Sequence, residues 1–87
     1  MVKIEKKVLS KYFQAIINGK KTYELRLADF ECKEGDALIL REWNPDTEEY
    51  TGRKIEKTVT YVGKTKGLTF WSKEDIDKYG YQIIAFK

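Results

Sequence analysis

Four charged residues lie within the segment from Gly19 to Arg26 and are the side chains best suited to bind or attack a ligand. They are Lys20, Lys21, Glu24 and Arg26. Lysine and arginine bind phosphates and base carbonyls, arginine through its planar two-pronged donor group. A carboxylate between two cations can orient them or accept a hydrogen bond from the exocyclic amine of a base. These four side chains are therefore candidate nucleotide-binding residues.

The absence of histidine narrows the catalytic chemistry of this chain, which also has a single cysteine, Cys32. Ser-His-Asp catalysis, Cys-His catalysis and histidine-based metal sites are excluded. One cysteine forms neither an internal disulfide nor a cysteine-based zinc site. Lys21 as base or nucleophile and Glu24 as proton carrier remain the candidate catalytic pair. We therefore expect no metal and no cofactor.

The charged segment lies where a predicted helix ends and a predicted strand begins. Apolar spacing predicts a helix over Lys11 to Asn18, with Ser10 as its cap and Gly19 in the left-handed position after its end. Alternation then predicts a strand from Thr22 to Ala28. Its core face holds Tyr23, Leu25 and Leu27, and its charged face holds Thr22, Glu24 and Arg26. Glu24 and Arg26 are thus expected side by side on a sheet.

The rest of the chain predicts four more strands, one more helix and two turns. The strands are Val2–Val8, Ala37–Trp43, Arg53–Val62 and Tyr81–Lys87; the helix begins after Ser72 and ends at Gly80; the turns are Glu34-Gly35-Asp36 and Asn44-Pro45-Asp46-Thr47, with Tyr50-Thr51-Gly52 closing the hairpin loop. The order β-α-β-β-β-α-β with short connections favours an α+β fold built on a small mixed or mostly antiparallel barrel. A chain of 87 residues is expected to form one domain over residues 1–87.

Further basic and aromatic residues form two secondary candidates for nucleic-acid contacts. Lys64, Lys66, Phe70 and Trp71 share an irregular stretch, and Arg41 and Trp43 share one face of a strand. Bases stack on aromatic rings while phosphates meet cations, which favours a single-stranded nucleic acid. The alternative is that the aromatic rings cover the core while the cations are solvated.

The spacing Gly19-x-Lys21-x-x-Glu24-x-Arg26 resembles the signature of the ASCH family, a branch of the PUA-like superfamily. Three further segments resemble family landmarks: Glu34-Gly35-Asp36, Leu40-Arg41-Glu42-Trp43 and Tyr81–Phe86. The resemblance covers nearly the whole chain. It implies a PUA-like β-barrel with two short helices and a ligand cleft beside the first helix.

For function, the resemblance implies binding of RNA or a nucleotide through a cleft lined by Lys21, Glu24 and Arg26. Some bacterial members are amidohydrolases of acetylated cytidine, with a catalytic lysine at the position of Lys21 and a threonine where this chain has Glu24. A further catalytic acid of those enzymes corresponds to Glu74 or Asp75. The alternatives to a binding domain are therefore an amidohydrolase of acylated nucleosides and, third, a ribonuclease.

Charge and hydropathy limit the partners. The chain carries 17 basic and 14 acidic residues, a net charge of +3, so a basic site must be local rather than global. No apolar run approaches a membrane span, and the first residues lack the apolar stretch of a signal peptide. We expect a cytoplasmic protein without membrane contact.

Overall fold

Three strands and two helices form within residues 1–80, the residues that the computed structural model describes. They are β1 (Lys3–Leu9), α1 (Ser10–Ile17), β2 (Ala37–Asn44), β3 (Glu49–Thr58) and α2 (Lys73–Tyr79). β2 lies between the other two strands, parallel to β1 and antiparallel to β3. α1 and the long segment after it connect β1 to β2, as a parallel pair requires.

The predicted closed barrel is wrong, because residues 1–80 form an open, mixed sheet of three strands. The segment from Thr22 to Ala28 forms no strand. Leu25 and Leu27, expected to face a core, are 71% and 81% exposed. The guanidinium of Arg26 donates a hydrogen bond to the carbonyl of Lys7. The segment therefore contacts β1 through this side chain and not through the backbone hydrogen bonds of a paired strand. The predicted last strand, residues 81–87, lies outside the described residues.

The core lies between α1 and the inner face of the sheet. Its buried members are Val8, Phe13, Ile16 and Leu40, with Leu38 and Ile55 packed against them. Phe13 is the largest fully buried side chain, at 1% exposure. Tyr12 and Ile17, the other two members of the predicted apolar stripe of α1, are exposed instead. One narrow stripe of α1 therefore holds it against the sheet.

The predicted helix ends are partly confirmed. Ser10 does not cap α1; it is the first residue of the helix, and its hydroxyl donates to the carbonyl of Trp43 over 3.2 Å. Gly19 has the predicted positive φ, at 74°. The hydroxyl of Ser72 accepts the backbone N–H of Asp75 over 3.1 Å and caps α2, which ends before Gly80 as predicted.

The second strand of the β2–β3 hairpin starts and ends earlier than its pattern predicts. The turn after β2 forms as expected, but β3 begins at Glu49 instead of Arg53 and ends at Thr58 instead of Val62. Tyr50, Thr51 and Gly52 therefore lie inside the strand. The pairing register shifts between Arg41 and Trp43, opposite Gly52, whose φ is 94°. A glycine with positive φ at such an irregularity is typical of a β-bulge.

Asp36, in the turn before β2, joins three parts of the chain. Its carboxylate accepts the backbone N–H of Val2 over 3.1 Å and that of Lys33 over 3.0 Å. These two hydrogen bonds lower the pKa of Asp36, which is only 3% exposed. Its carbonyl accepts the N–H of Val59 over 2.8 Å. The start of β1 and the chain beyond β3 are therefore fixed to one turn.

Candidate functional site

Lys21, Glu24 and Arg26 form one connected group of charged side chains. The Lys21 Nζ lies 3.2 Å from Glu24 Oε1, and the Arg26 Nε lies 2.9 Å from Glu24 Oε2. The side chains of Lys21 and Glu24 are only 16% and 15% exposed, and that of Arg26 is 31% exposed. Each carboxylate oxygen thus accepts from a different cation, and Lys21 does not extend into solvent. We call this group the Lys-Glu-Arg triad.

The end of α1 and the edge of β1 position the triad. The carbonyl of Ala15 accepts the backbone N–H of Lys20 over 3.0 Å and that of Lys21 over 3.1 Å. This reversal depends on the left-handed backbone of Gly19. The Lys21 ammonium also donates to the carbonyl of Tyr23 over 2.6 Å and lies 4.5 Å from the centre of its ring. The contact of Arg26 with β1 fixes the other end of the triad.

The triad lines a cavity of about 460 Å³ beside the inner face of the sheet. Side chains of the sheet, of the segment before β2 and of the chain beyond β3 form its apolar and aromatic part, which includes Tyr23, Phe30, Leu38, Leu40 and Tyr61. Its cations are Lys6, Lys21, Arg26, Lys57 and Lys64, and Glu24 is its single carboxylate among residues 1–80. The cavity therefore combines an apolar surface with an excess of positive charge. We call it the triad pocket.

The triad keeps donors available for a ligand. A lysine ammonium has three N–H groups and a guanidinium has five. Lys21 gives two of its donors to oxygen atoms of the described chain, and Arg26 also gives two. Both oxygens of Glu24 already accept from these cations. The arrangement suits recognition of an anionic or carbonyl oxygen, with Glu24 holding the two cations in place.

The structure brings four of the eight predicted binding residues to the triad pocket. The four that line it are Lys21, Glu24, Arg26 and Lys64, and the four that do not are Lys20, Arg41, Lys66 and Trp71. Lys20 and Lys66 are exposed. The predicted contacts therefore divide between the pocket and other surfaces.

Arg41 and Trp43 lie on the opposite face of the sheet from the core. The Arg41 guanidinium stacks 3.9 Å from the ring centre of Tyr50, whose ring meets Trp43 edge to face at 5.1 Å. Trp71 contacts Phe70 in the same manner, with ring centres 5.9 Å apart. These aromatic groups form local contacts away from the triad pocket.

Glu74 and Asp75, the candidates for a further acid, lie in the first turn of α2. Both are exposed, and neither lines the triad pocket. Acidic residues in a first helical turn interact favourably with the helix dipole, which is a structural role.

Lys6 lines the triad pocket but belongs to none of the charged motifs recognised in the sequence. It lies on β1 in phase with Ile4 and Val8, so its side chain belongs to the inner face of the sheet. Its ammonium lies 3.7 Å from the ring centre of Phe30, another pocket residue. The sequence signal that could have identified Lys6 is its position on the same strand face as the apolar residues Ile4 and Val8.

Glu42, named above only as part of a family landmark, is a carboxylate with 4% exposure on the inner face of β2. The Arg53 guanidinium donates to both its oxygens over 2.8 and 2.9 Å, and the Thr51 hydroxyl donates over 2.5 Å. These hydrogen bonds lower the pKa of Glu42 to about 2. Arg53 also donates to Gln14 of α1 over 3.2 Å. Glu42 does not line the triad pocket and fastens the hairpin to α1.

Two structural features are absent from residues 1–80. None of their helices combines the length and apolar character needed to cross a membrane. In the same range, no cluster of three or more histidine, cysteine, aspartate or glutamate side chains is placed to hold a metal ion. Among residues 1–80, the charged groups that line the triad pocket are lysine and arginine cations and one carboxylate.

Comparison with known proteins identifies relatives without a described activity. The chain is 44% identical over 63 residues to the "Uncharacterized 12.9 kDa protein in GpA 3'region" of Escherichia phage P2. That alignment covers 71% of this chain and 56% of the phage protein. No solved structure matches. Residues 4–75 match the family described as "Domain of unknown function (DUF3850)", and the chain belongs to this family.

Proposed function

We propose that this protein binds a nucleotide, free or as a unit of single-stranded RNA, in the triad pocket. Lys21 and Arg26 donate hydrogen bonds to the ligand, and Glu24 orients both. The observation that carries the proposal is the Lys-Glu-Arg triad itself, which is largely shielded from solvent and lines a cavity with excess positive charge.

The contents of the pocket match the parts of a nucleotide. A volume of about 460 Å³ lies in the range of small-molecule sites. Bases pack on aromatic and apolar side chains, and phosphates bind lysine and arginine. Withdrawing charged groups from water costs free energy that their mutual attraction often does not repay, so folding alone is a weak reason for three charged groups on a cavity wall. The resemblance of the motif to the ASCH family, whose members are taken to bind RNA, supports the same proposal.

Binding measurements on two triad variants test the proposal. Lys21→Ala and Arg26→Ala are each expected to weaken binding of single-stranded RNA about tenfold or more, because each removes a charged donor. Fluorescence anisotropy with labelled oligonucleotides at low salt measures the affinity. Lys54→Ala is the matched control, since Lys54 is exposed on β3 and does not line the pocket.

Circular dichroism of each variant shows whether it is folded. Wild-type affinity in a folded Lys21→Ala and a folded Arg26→Ala protein contradicts the assignment of the triad. A loss of equal size in Lys54→Ala contradicts it as well, because general charge rather than the pocket would then control binding.

A second candidate function is hydrolysis of an amide on an acylated nucleoside such as acetylcytidine. The observation that favours it is the 3.2 Å contact between the Lys21 ammonium and a carboxylate on the wall of a cavity large enough for one nucleoside. Lys21 acts as base or nucleophile in this mechanism, and Glu24 carries the proton. Chromatography after incubation with acetylcytidine measures turnover. Turnover no greater than that of Lys21→Ala rules out this version.

A further inference from the structure

Lys6 lies at a position of β1 whose neighbours on the same strand face are apolar. It lies between Ile4 and Val8 on the inner face of β1, and its partner in the register is Leu40. Val8 and Leu40 are 3% and 2% exposed, and Lys6 itself is partly buried. Shielding a cation from water is unfavourable unless a partner compensates it.

No carboxylate among residues 1–80 forms a salt bridge with Lys6. Its ammonium rests on the Phe30 ring instead. Lys57 and Lys64 line the same pocket and also form no salt bridge within that range. The single pocket carboxylate, Glu24, is already shared between the two triad cations. The described pocket therefore carries more positive charge than its own residues compensate.

We infer that Lys6 binds the phosphate group of the nucleotide and that the pocket consequently selects nucleotides over nucleosides. The inference rests on the proposed function and specifies its ligand class. A phosphate monoester supplies up to two negative charges and several acceptor oxygens, which matches the uncompensated cations. The ring of Phe30 holds the Lys6 ammonium by a cation–π contact and leaves N–H groups of Lys6 available for phosphate oxygens.

Lys7 provides a matched control for Lys6. It is the next residue of β1, points to the opposite face of the sheet, and has its ammonium 4.0 Å from the ring centre of Trp43. The Lys7 side chain does not line the triad pocket, and a Lys7→Met variant keeps the backbone carbonyl that accepts from Arg26. Lys6→Met and Lys7→Met therefore each remove one charge and one cation–π contact, but on opposite faces.

The experiment measures binding of the four ribonucleoside 5′-monophosphates and of the four matching nucleosides by isothermal titration calorimetry. The wild type is expected to bind its preferred nucleotide about tenfold or more tightly than the corresponding nucleoside, as for a charged hydrogen bond. Lys6→Met is expected to remove most of this preference while binding the nucleoside normally. Lys7→Met is expected to keep it. Lys6→Gln serves as a second neutral variant if Lys6→Met does not fold.

The outcomes separate this inference from the proposed function. Equal wild-type affinity for nucleotide and nucleoside overturns the phosphate assignment but leaves a base-binding pocket. A folded Lys6 variant that keeps the preference, or one that loses both ligands equally, also overturns it. Binding of an RNA oligonucleotide without binding of any monomer overturns only this inference. Absence of all binding, to oligonucleotide and monomers alike, overturns both.

Discussion

Two carboxylates that each bind an arginine have different roles in this protein. Glu24 is shared between Lys21 and Arg26 on the wall of a cavity. Glu42 lies outside that cavity and accepts hydrogen bonds from Thr51 and Arg53. Glu24 therefore holds two cations together on a cavity wall, whereas Glu42 joins β2 to β3. At the level of the single residue, surroundings rather than residue type decide which role a glutamate has.

The Glu42 contacts predict how stability depends on pH. The pKa of Glu42 falls from its usual 4.5 to about 2 on folding, so its contribution is complete above about pH 4.5 and disappears as the pH falls toward 2. Glu42→Gln is expected to have a lower melting temperature than the wild type at pH 7. This difference should shrink as the pH falls from 4.5 to 2. Thermal unfolding followed by circular dichroism measures it.

Glu49→Gln is the control for this measurement, because Glu49 is exposed at the start of β3 and forms no salt bridge with any residue in the described range. It should leave the melting temperature nearly unchanged at every pH. Both variants should still lose stability in acid, because the pKa of Asp36 is also lowered in the folded protein. A difference between wild type and Glu42→Gln that grows on acidification contradicts the role assigned to Glu42.

At the level of elements, the triad lies on a segment that has no regular secondary structure. The reversal at Gly19, after α1, fixes its start, and the hydrogen bond from Arg26 to β1 fixes its later part. An irregular segment held at both ends by rigid elements can present side chains in a defined geometry. The geometry of the triad therefore depends on the chain reversal at the end of α1.

Gly19→Ala tests this dependence. At a φ of 74° a side chain strains the backbone, although an added Cβ meets no atom within 4 Å. We expect a loss of about 1–2 kcal/mol in the free energy of unfolding, measured by urea titration, together with weaker RNA binding. Gly19→Asn should cost less, since asparagine tolerates this conformation better. Equal losses in both variants contradict an effect of backbone conformation.

At the level of the whole molecule, positive charge is concentrated locally rather than spread over the surface. The net charge is only +3, yet the described lining of the triad pocket has five cations and one carboxylate. This cavity lies beside the inner face of the sheet, and the Asp36 turn fixes the chain beyond β3 that lines it. Binding of an anionic polymer should therefore depend on a few ionic contacts.

This distribution predicts a moderate salt dependence. If three to five cations contact phosphates, the logarithm of the RNA association constant should fall with the logarithm of the salt concentration, with a slope of about −2 to −4. Lys21→Ala should make the slope shallower by about 0.7. Anisotropy titrations between about 50 and 300 mM salt give both slopes. A slope near zero contradicts ionic recognition.

Much of the local structure could be predicted from short-range signals. Gly19, Ser72 and the turn after β2 act through the backbone conformation or hydrogen bonds of adjacent residues, and each is found as predicted. The strand over Thr22 to Ala28 was predicted from alternation alone and is wrong. Alternation describes which way side chains point if a strand forms, but a strand also needs a partner for its backbone groups.

The sequence by itself determined which residues belong to the charged segment, because Lys21, Glu24 and Arg26 lie close together in the chain. It also excluded histidine-based catalysis, because the chain has no histidine. Only the tertiary structure decided that Glu24 binds both cations, that Lys6 and Lys64 line the same cavity, and that Arg41 lies on the other face of the sheet. Residues distant in sequence are brought together by sheet register and chain reversals, which depend on contacts across the whole fold.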